Sequence, residues 1–220
     1  DESETHKIIK KAKYIFTATG IFDIGVENSR LIGGAFLINL WHGIPLKKIM
    51  YDDKHSVLHK RSKLVTLVEK IPLRNYFVVS TSAVTTQIYQ SAFRVKKSNI
   101  LELGQPRNDY FYDKSNPVSP LIQELKSKNI ILYMPTHRNE GKKQINLDNL
   151  MDLNRLNKWC EETNSIFVIK KHFYHSKEKT LQKEYSSIID VTNEKVDAQE
   201  LLKYSKILIT DYSSCYIDYL

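Results

Sequence analysis

Cysteine is almost missing from this 220-residue chain, and Cys160 and Cys215 are too few and too unpatterned for a disulfide framework or a thiolate metal site. That usage suits a reducing cytosol. Long apolar runs are missing too: the longest, residues 31–41, falls well short of the roughly 18 residues that cross a bilayer. No signal peptide opens the chain, so no membrane span is expected. Neither Gly-x-x-x-x-Gly-Lys-Ser/Thr nor Gly-x-Gly-x-x-Gly occurs, which excludes a P-loop and a dinucleotide-binding turn. Carboxylates do not cluster at metal-ligand spacing, so no metal and no cofactor is expected. Internal repeats and low-complexity tracts are absent as well. What is abundant is positive charge: a formal net charge of +8 implies an anionic partner without choosing among nucleic acid, acidic lipid and a phosphate-bearing substrate. With 41% hydrophobic residues the chain can bury a sizeable core in one or two domains. It opens on Asp1 without Met and stops at Leu220, one turn into a helical pattern, and is expected to be a fragment of a longer protein.

Apolar, β-prone runs recur at 14–17, 35–40, 76–80, 129–134, 165–170 and 206–210. Helical periodicity lies between several of them. Over 147–162, Leu150, Leu153, Leu156, Trp159 and Cys160 recur at spacings of three and four, and 198–204 gives a second amphipathic stretch. Strands alternating with helices predict an α/β fold with parallel sheets covered on both faces. Residues 113–120 carry two prolines and no periodicity, so the expected organisation is two α/β domains, 1–115 and 116–220, the second truncated.

In open parallel sheets ligands sit outside the carboxyl ends of the strands, which directs attention to the residues after each run. Run 35–40 leads into Trp41-His42-Gly43-Ile44-Pro45-Leu46-Lys47-Lys48, and run 129–134 into Pro135-Thr136-His137-Arg138. After 165–169 come Lys170, Lys171 and His172, and after 206–209 come Thr210-Asp211-Tyr212-Ser213-Ser214. A loop Gly104-Gln105-Pro106-Arg107-Asn108-Asp109 joins them. Cations, hydroxyls and imidazoles gathered at strand ends suit phosphate oxygens and proton transfer near neutral pH. A plainer reading stands beside each. Asp-x-Ser-Ser is also an ordinary helix N-cap, Lys47 and Lys48 fit the solvated side of a helix starting near Pro45, and Arg107 can pair with Asp109 to pin a turn.

The blocks Trp41 to Lys48, Gly104 to Asp109, Met134 to Arg138 and Thr210 to Ser214 resemble, in order and spacing, the CDP-glycerol glycerophosphotransferase family, which contains teichoic acid primases and polymerases and related capsule polymerases. The resemblance implies a GT-B arrangement of two Rossmann-like domains. It implies transfer of a polyol phosphate, glycerol phosphate first, from a CDP-activated donor to an acceptor hydroxyl, with release of CMP. On this resemblance His42 is the general base for the acceptor and His172 the second catalytic histidine, with His175 as its alternative. Thr136, Arg138, Lys170, Asp211, Ser213 and Ser214 line the donor phosphates and nucleotide, and Lys47 and Arg107 are possible phosphate contacts. The expected partners are CDP-glycerol or CDP-ribitol, a lipid-linked or polymeric acceptor and an anionic membrane surface, with no nucleic acid. The expected place is peripheral, on the cytoplasmic face of a bacterial membrane. Two competing readings are a GT-B sugar transferase or nucleotide-sugar epimerase, which would release UDP from a sugar nucleotide, and a non-enzymatic basic module binding polyanions with steep salt dependence.

Overall fold

The computed structural model describes residues 4–25, 31–56, 75–136, 147–171 and 180–220. The chain divides into two compact units, Asp1–Pro106 and Arg107–Leu220. Among the described residues no helix is long and apolar enough to cross a membrane.

The first unit is a parallel sheet of β1 (Tyr14–Thr17), β2 (Phe36–Asn39), β3 (Tyr76–Ser80) and β4 (Ile100–Glu102), in the order β1-β2-β3-β4. Tyr14 lies opposite Phe36, Leu37 opposite Tyr76 and Val78 opposite Ile100, so all four strands run the same way and their carboxyl ends share one edge. Leu37, Val78 and Val79 are buried, and because the consecutive Val78 and Val79 point to opposite faces, the centre of this sheet is covered on both sides. Helix α1 (Glu4–Lys11) buries Ile9 and ends on Lys10 and Lys11, where cations meet its negative pole. Helix α2 (Ala83–Ala92) is started by a capping box: the Ser82 hydroxyl accepts the Thr85 N–H, and the Thr85 hydroxyl accepts the Ser82 N–H. Its Tyr89 and Ala92 pack with Phe93, Val78 and Trp41.

In the second unit β5 (Asn129–Met134), β6 (Ser165–Ile169), β7 (Ile188–Asp190) and β8 (Ser205–Thr210) form a parallel sheet in the order β7-β6-β5-β8. β6 is buried along its whole length, which its run Ser-Ile-Phe-Val-Ile permits. Around the sheet lie α3 (Asp109–Tyr112), α4 (Pro120–Leu125), α5 (Leu153–Glu162), α6 (Ala198–Tyr204) and α7 (Cys215–Tyr219). Asp152 and Asp197 cap α5 and α6 by accepting the N–H groups of Arg155 and Gln199. Helix α6 also gathers the segment before α4: the Lys203 ammonium donates to the carbonyls of Tyr110 and Asp113, both at 2.8 Å, and the Gln199 amide donates to Asn108. The buried Glu200 carboxylate accepts the Ser119 N–H at 2.6 Å.

Three local expectations shift. The periodic stretch 147–162 divides into a 3-10 turn, Leu147–Asn149, and α5, because Asp152 starts a new helix with its own cap. Strands β4 and β7 were not expected; at three residues each they are too short to show a period. Residues 45–49 form no helix and run irregularly into the 3-10 turn Met50–Asp52.

Candidate active site

In the first unit the chain leaves β2 through an unusual turn. Trp41 has φ +56, a left-handed conformation that costs a non-glycine residue on the order of 1 kcal/mol. Asn39 holds it there. Fully buried, it accepts the Trp41 N–H at 2.9 Å and donates its amide to the Tyr76 hydroxyl at 2.9 Å. Burial pushes the Tyr76 phenol up to about 12, against the opposing effect of the Asn39 hydrogen bond, so it stays a neutral partner. The reversal sends the Trp41 indole inward, edge-on to Phe93 at 5.0 Å, and leaves His42 exposed with its ring 4.1 Å from the indole. Gln105, itself buried, donates to the Leu40 carbonyl at 2.8 Å and closes the same strand end; Gly104 before it has φ +85.

The His42 Nδ1 lies 3.4 Å from the Ala18 carbonyl, just past the end of β1. A carbonyl can only accept, so in the neutral ring this contact favours the tautomer with its proton on Nδ1 and its lone pair on Nε2. Lys47 and Lys48 are exposed and line a groove of about 550 Å³ with Pro45, Leu46, Ile49, Asp52 and Ile88. Asp52 is occupied there by the Ser91 hydroxyl at 2.6 Å.

In the second unit the ends of the adjacent strands β5 and β8 bring Thr136 and Asp211 together. The Asp211 carboxylate accepts both the N–H, at 2.8 Å, and the hydroxyl of Thr136. Asp211 thus fixes the loop after β5. Ser213 accepts the Cys215 N–H at 3.4 Å, whereas Ser214, the residue before α7, makes no side-chain cap hydrogen bond.

Three sequence-predicted cations of this unit are held by protein groups. Lys170 donates its ammonium to the carbonyls of Val191 at 3.1 Å, Glu194 at 3.2 Å and Thr192 at 3.5 Å. Burial lowers its affinity for the proton below that of an ordinary lysine, although Asp197, Glu194 and Asp190 pull the other way. The Lys171 side chain is buried beside Asp190 at 3.9 Å. Arg107 spans both oxygens of Asp218, on α7, at 2.8 and 3.1 Å. Arg138 and His172, with His137 and His175, lie outside the described residues. Among the described residues no group of three His, Cys, Asp or Glu side chains is arranged to hold a metal ion.

Sequence reasoning did not single out Asn39, Asp23 or Asp218. Asp23 had a usable signal, since it is the first carboxylate after the first strand, six residues past Thr17, and strand ends are where such residues count. Asp218 had none, because its pairing with Arg107 spans more than a hundred positions.

The profile of the CDP-glycerol:poly(glycerophosphate) glycerophosphotransferase family matches residues 2–220. A teichoic acid poly(glycerol phosphate) polymerase of Bacillus spizizenii is 34% identical over 200 residues, which are 83% of this chain and 48% of that protein. A teichoic acid ribitol-phosphate primase of the same species is 30% identical over 189 residues, again 83% and 48%. Among solved structures, a variant of the wall teichoic acid polymerase TagF soaked with CDPG superposes with a TM-score of 0.72 at 26% identity, over 94% of this chain and 52% of that one. The chain therefore spans about half the length of these two relatives.

Proposed function

The chain belongs to the CDP-glycerol:poly(glycerophosphate) glycerophosphotransferase family, and from that premise we propose that its parent protein transfers a polyol phosphate from a CDP-activated donor to an acceptor hydroxyl. The fold class agrees: both units are parallel-sheet α/β, as in a GT-B-like transferase. The observation that carries the reading is the family match across residues 2–220. In the reaction the acceptor oxygen bonds to the donor β-phosphorus, the phosphoanhydride breaks, CMP leaves, and the acceptor proton passes to a base. His42 is that base, acting through Nε2. A positioned base is worth about a hundredfold to ten-thousandfold.

Roles for the other residues accord with their surroundings. Ser213 and Ser214 present hydroxyls to the donor phosphates beside Thr136, whose N–H and hydroxyl are given to Asp211, with Arg138 and His172 completing that side. Lys170, Asp211 and Arg107 serve the donor site by holding its loops in place. Lys47 and Lys48 face phosphates of the acceptor chain. The polymer is of teichoic acid or capsule type, with glycerol phosphate ahead of ribitol phosphate as the unit transferred. The acceptor is polymeric or lipid-linked, and attachment is peripheral, on the cytoplasmic face, through attraction of basic residues to anionic headgroups worth roughly 1 kcal/mol each.

The test is CMP release by the full-length protein from CDP-glycerol and from CDP-ribitol, with acceptor present and with EDTA added. Acceptor-dependent CMP from CDP-glycerol that survives EDTA is the expected result. Turnover of a UDP-sugar with no turnover of either CDP-polyol would overturn the reading, and loss in EDTA restored by Mg²⁺ would replace the metal-free route.

A further inference from the structure

One carboxylate beside His42 has no role in that transfer scheme. Asp23 closes the 3-10 turn Gly20–Asp23 and folds back over the end of β1. Its Oδ2 accepts the N–H groups of Ala18 and, at 2.9 Å, Thr19, and its Oδ1 accepts the Thr19 hydroxyl. The Thr19 N–H belongs to the same planar peptide group as the Ala18 carbonyl, so holding it fixes the direction of that carbonyl, which faces His42 Nδ1 at 3.4 Å. The turn is further seated against the strand end beneath His42. Gly20 has φ +78, and a Cβ there would lie 3.1 Å from the Tyr76 hydroxyl and 3.3 Å from the Asn39 amide, so the turn and the Asn39–Tyr76 pair pack as one piece. Burial alone would raise the Asp23 carboxyl, but the Thr19 hydroxyl, the two N–H groups and the nearby His42 outweigh it and hold the group ionised.

We propose that Asp23 is a positioning residue for His42: it sets the Ala18 carbonyl that selects the Nδ1–H form of the imidazole, and it places a negative charge beside the imidazolium formed when Nε2 takes the acceptor proton. This rests on the reading of His42 as the base. The chemistry is that of a base whose second ring nitrogen is oriented by an acceptor, here reached through one backbone carbonyl. A carboxylate that only capped a surface turn would have no reason to couple to proton transfer.

Full-length variants test it by turnover. Asp23→Ala should lower kcat about ten- to hundredfold while the KM for the CDP-donor stays within about twofold, because a displaced base costs rate and not donor binding. Asp23→Asn keeps an oxygen for the N–H groups and should recover part of the loss. In the His42→Ala background Asp23→Ala should cost nothing further, since the two act as one unit. Wild-type kcat in Asp23→Ala, or losses that multiply in the double variant, would overturn the proposal while leaving His42 in place; wild-type kcat in His42→Ala would remove the underlying reading. Should Asp23→Ala fail to fold, ¹⁵N chemical shifts of His42 in the unsubstituted protein, assigned by their loss in His42→Ala, still decide. Protonation at Nδ1 is expected for the neutral ring, and protonation at Nε2 would sink the proposal.

Discussion

At the strand ends of the first unit the ionisable groups point outward and neutral ones hold the backbone under them: His42, Lys47 and Lys48 are exposed, while Asn39 and Gln105 are buried. The second unit reverses this. Lys170 is spent on carbonyls, Lys171 sits beside Asp190, Arg107 grips Asp218, and Asp211 ties down Thr136. The Thr136 hydroxyl is thereby given to Asp211, and Ser213 and Ser214 are the hydroxyl bearers of the proposed donor seat. The difference has a physical basis. A buried amide needs only local partners, whereas a buried cation is tolerated only where carboxylates or carbonyls compensate its desolvation. Lys170, Lys171 and Arg107 are therefore structural parts of the loops that would meet the donor, while Lys47 and Lys48 stand exposed toward a ligand.

The largest effect that would break this contrast is catalytic. His42→Ala should lower turnover by about a hundredfold to ten-thousandfold with donor affinity unchanged, because a base acts in the transition state. Lys170→Met, by contrast, should act mainly through stability, measured as a lower unfolding midpoint, with a smaller change in turnover once the protein is folded. If Lys170→Met instead left the midpoint untouched and abolished donor binding, the second unit's cations would be ligand groups after all.

The same contrast explains what could be read from the sequence. Strands 14–17, 76–80 and 129–134 were legible to the residue because apolar, β-prone runs were bounded by polar ones, and α6 was legible from its spacing. Trp41 and His42 were legible as a pair, since an aromatic beside an imidazole at a strand end is local information. What each lysine or arginine does was not legible. Whether Lys170 meets a phosphate or three carbonyls depends on a loop 21 to 24 residues away, and Arg107 depends on a carboxylate 111 residues away. Charge fixes the kind of partner, and only the fold chooses which one.

The next effect is on stability. Asp218 is nearly buried under Arg107, and Asp218→Ala leaves that guanidinium without its carboxylate, so the second unit should lose about 3 kcal/mol in denaturant unfolding. Lys47→Ala, on an exposed irregular stretch of the first unit, should stay within about 0.5 kcal/mol. Equal losses in the two variants would erase the distinction between structural and available cations.

The smallest effect sharpens the contrast by pH. Tyr76 is the buried neutral support of the first unit, and its phenol is pushed up from 10.0 to about 12. The unfolded chain therefore releases this proton first. Its contribution is complete below pH 10, falls as the pH rises between 10 and 12, and is lost above that, since the unfolded state then binds fewer protons than the native one. The loss should reach about 2 kcal/mol by pH 12. Tyr76→Phe removes the titrating group, so its stability should start about 1 kcal/mol lower, from the Asn39 amide left without its acceptor, and then lack this part of the alkaline slope. Urea unfolding of both proteins at pH 9, 10.5 and 12 gives the difference directly. Parallel curves would mean that Tyr76 ionises as readily in the native protein as in the unfolded chain, and that the support beneath His42 is open to water.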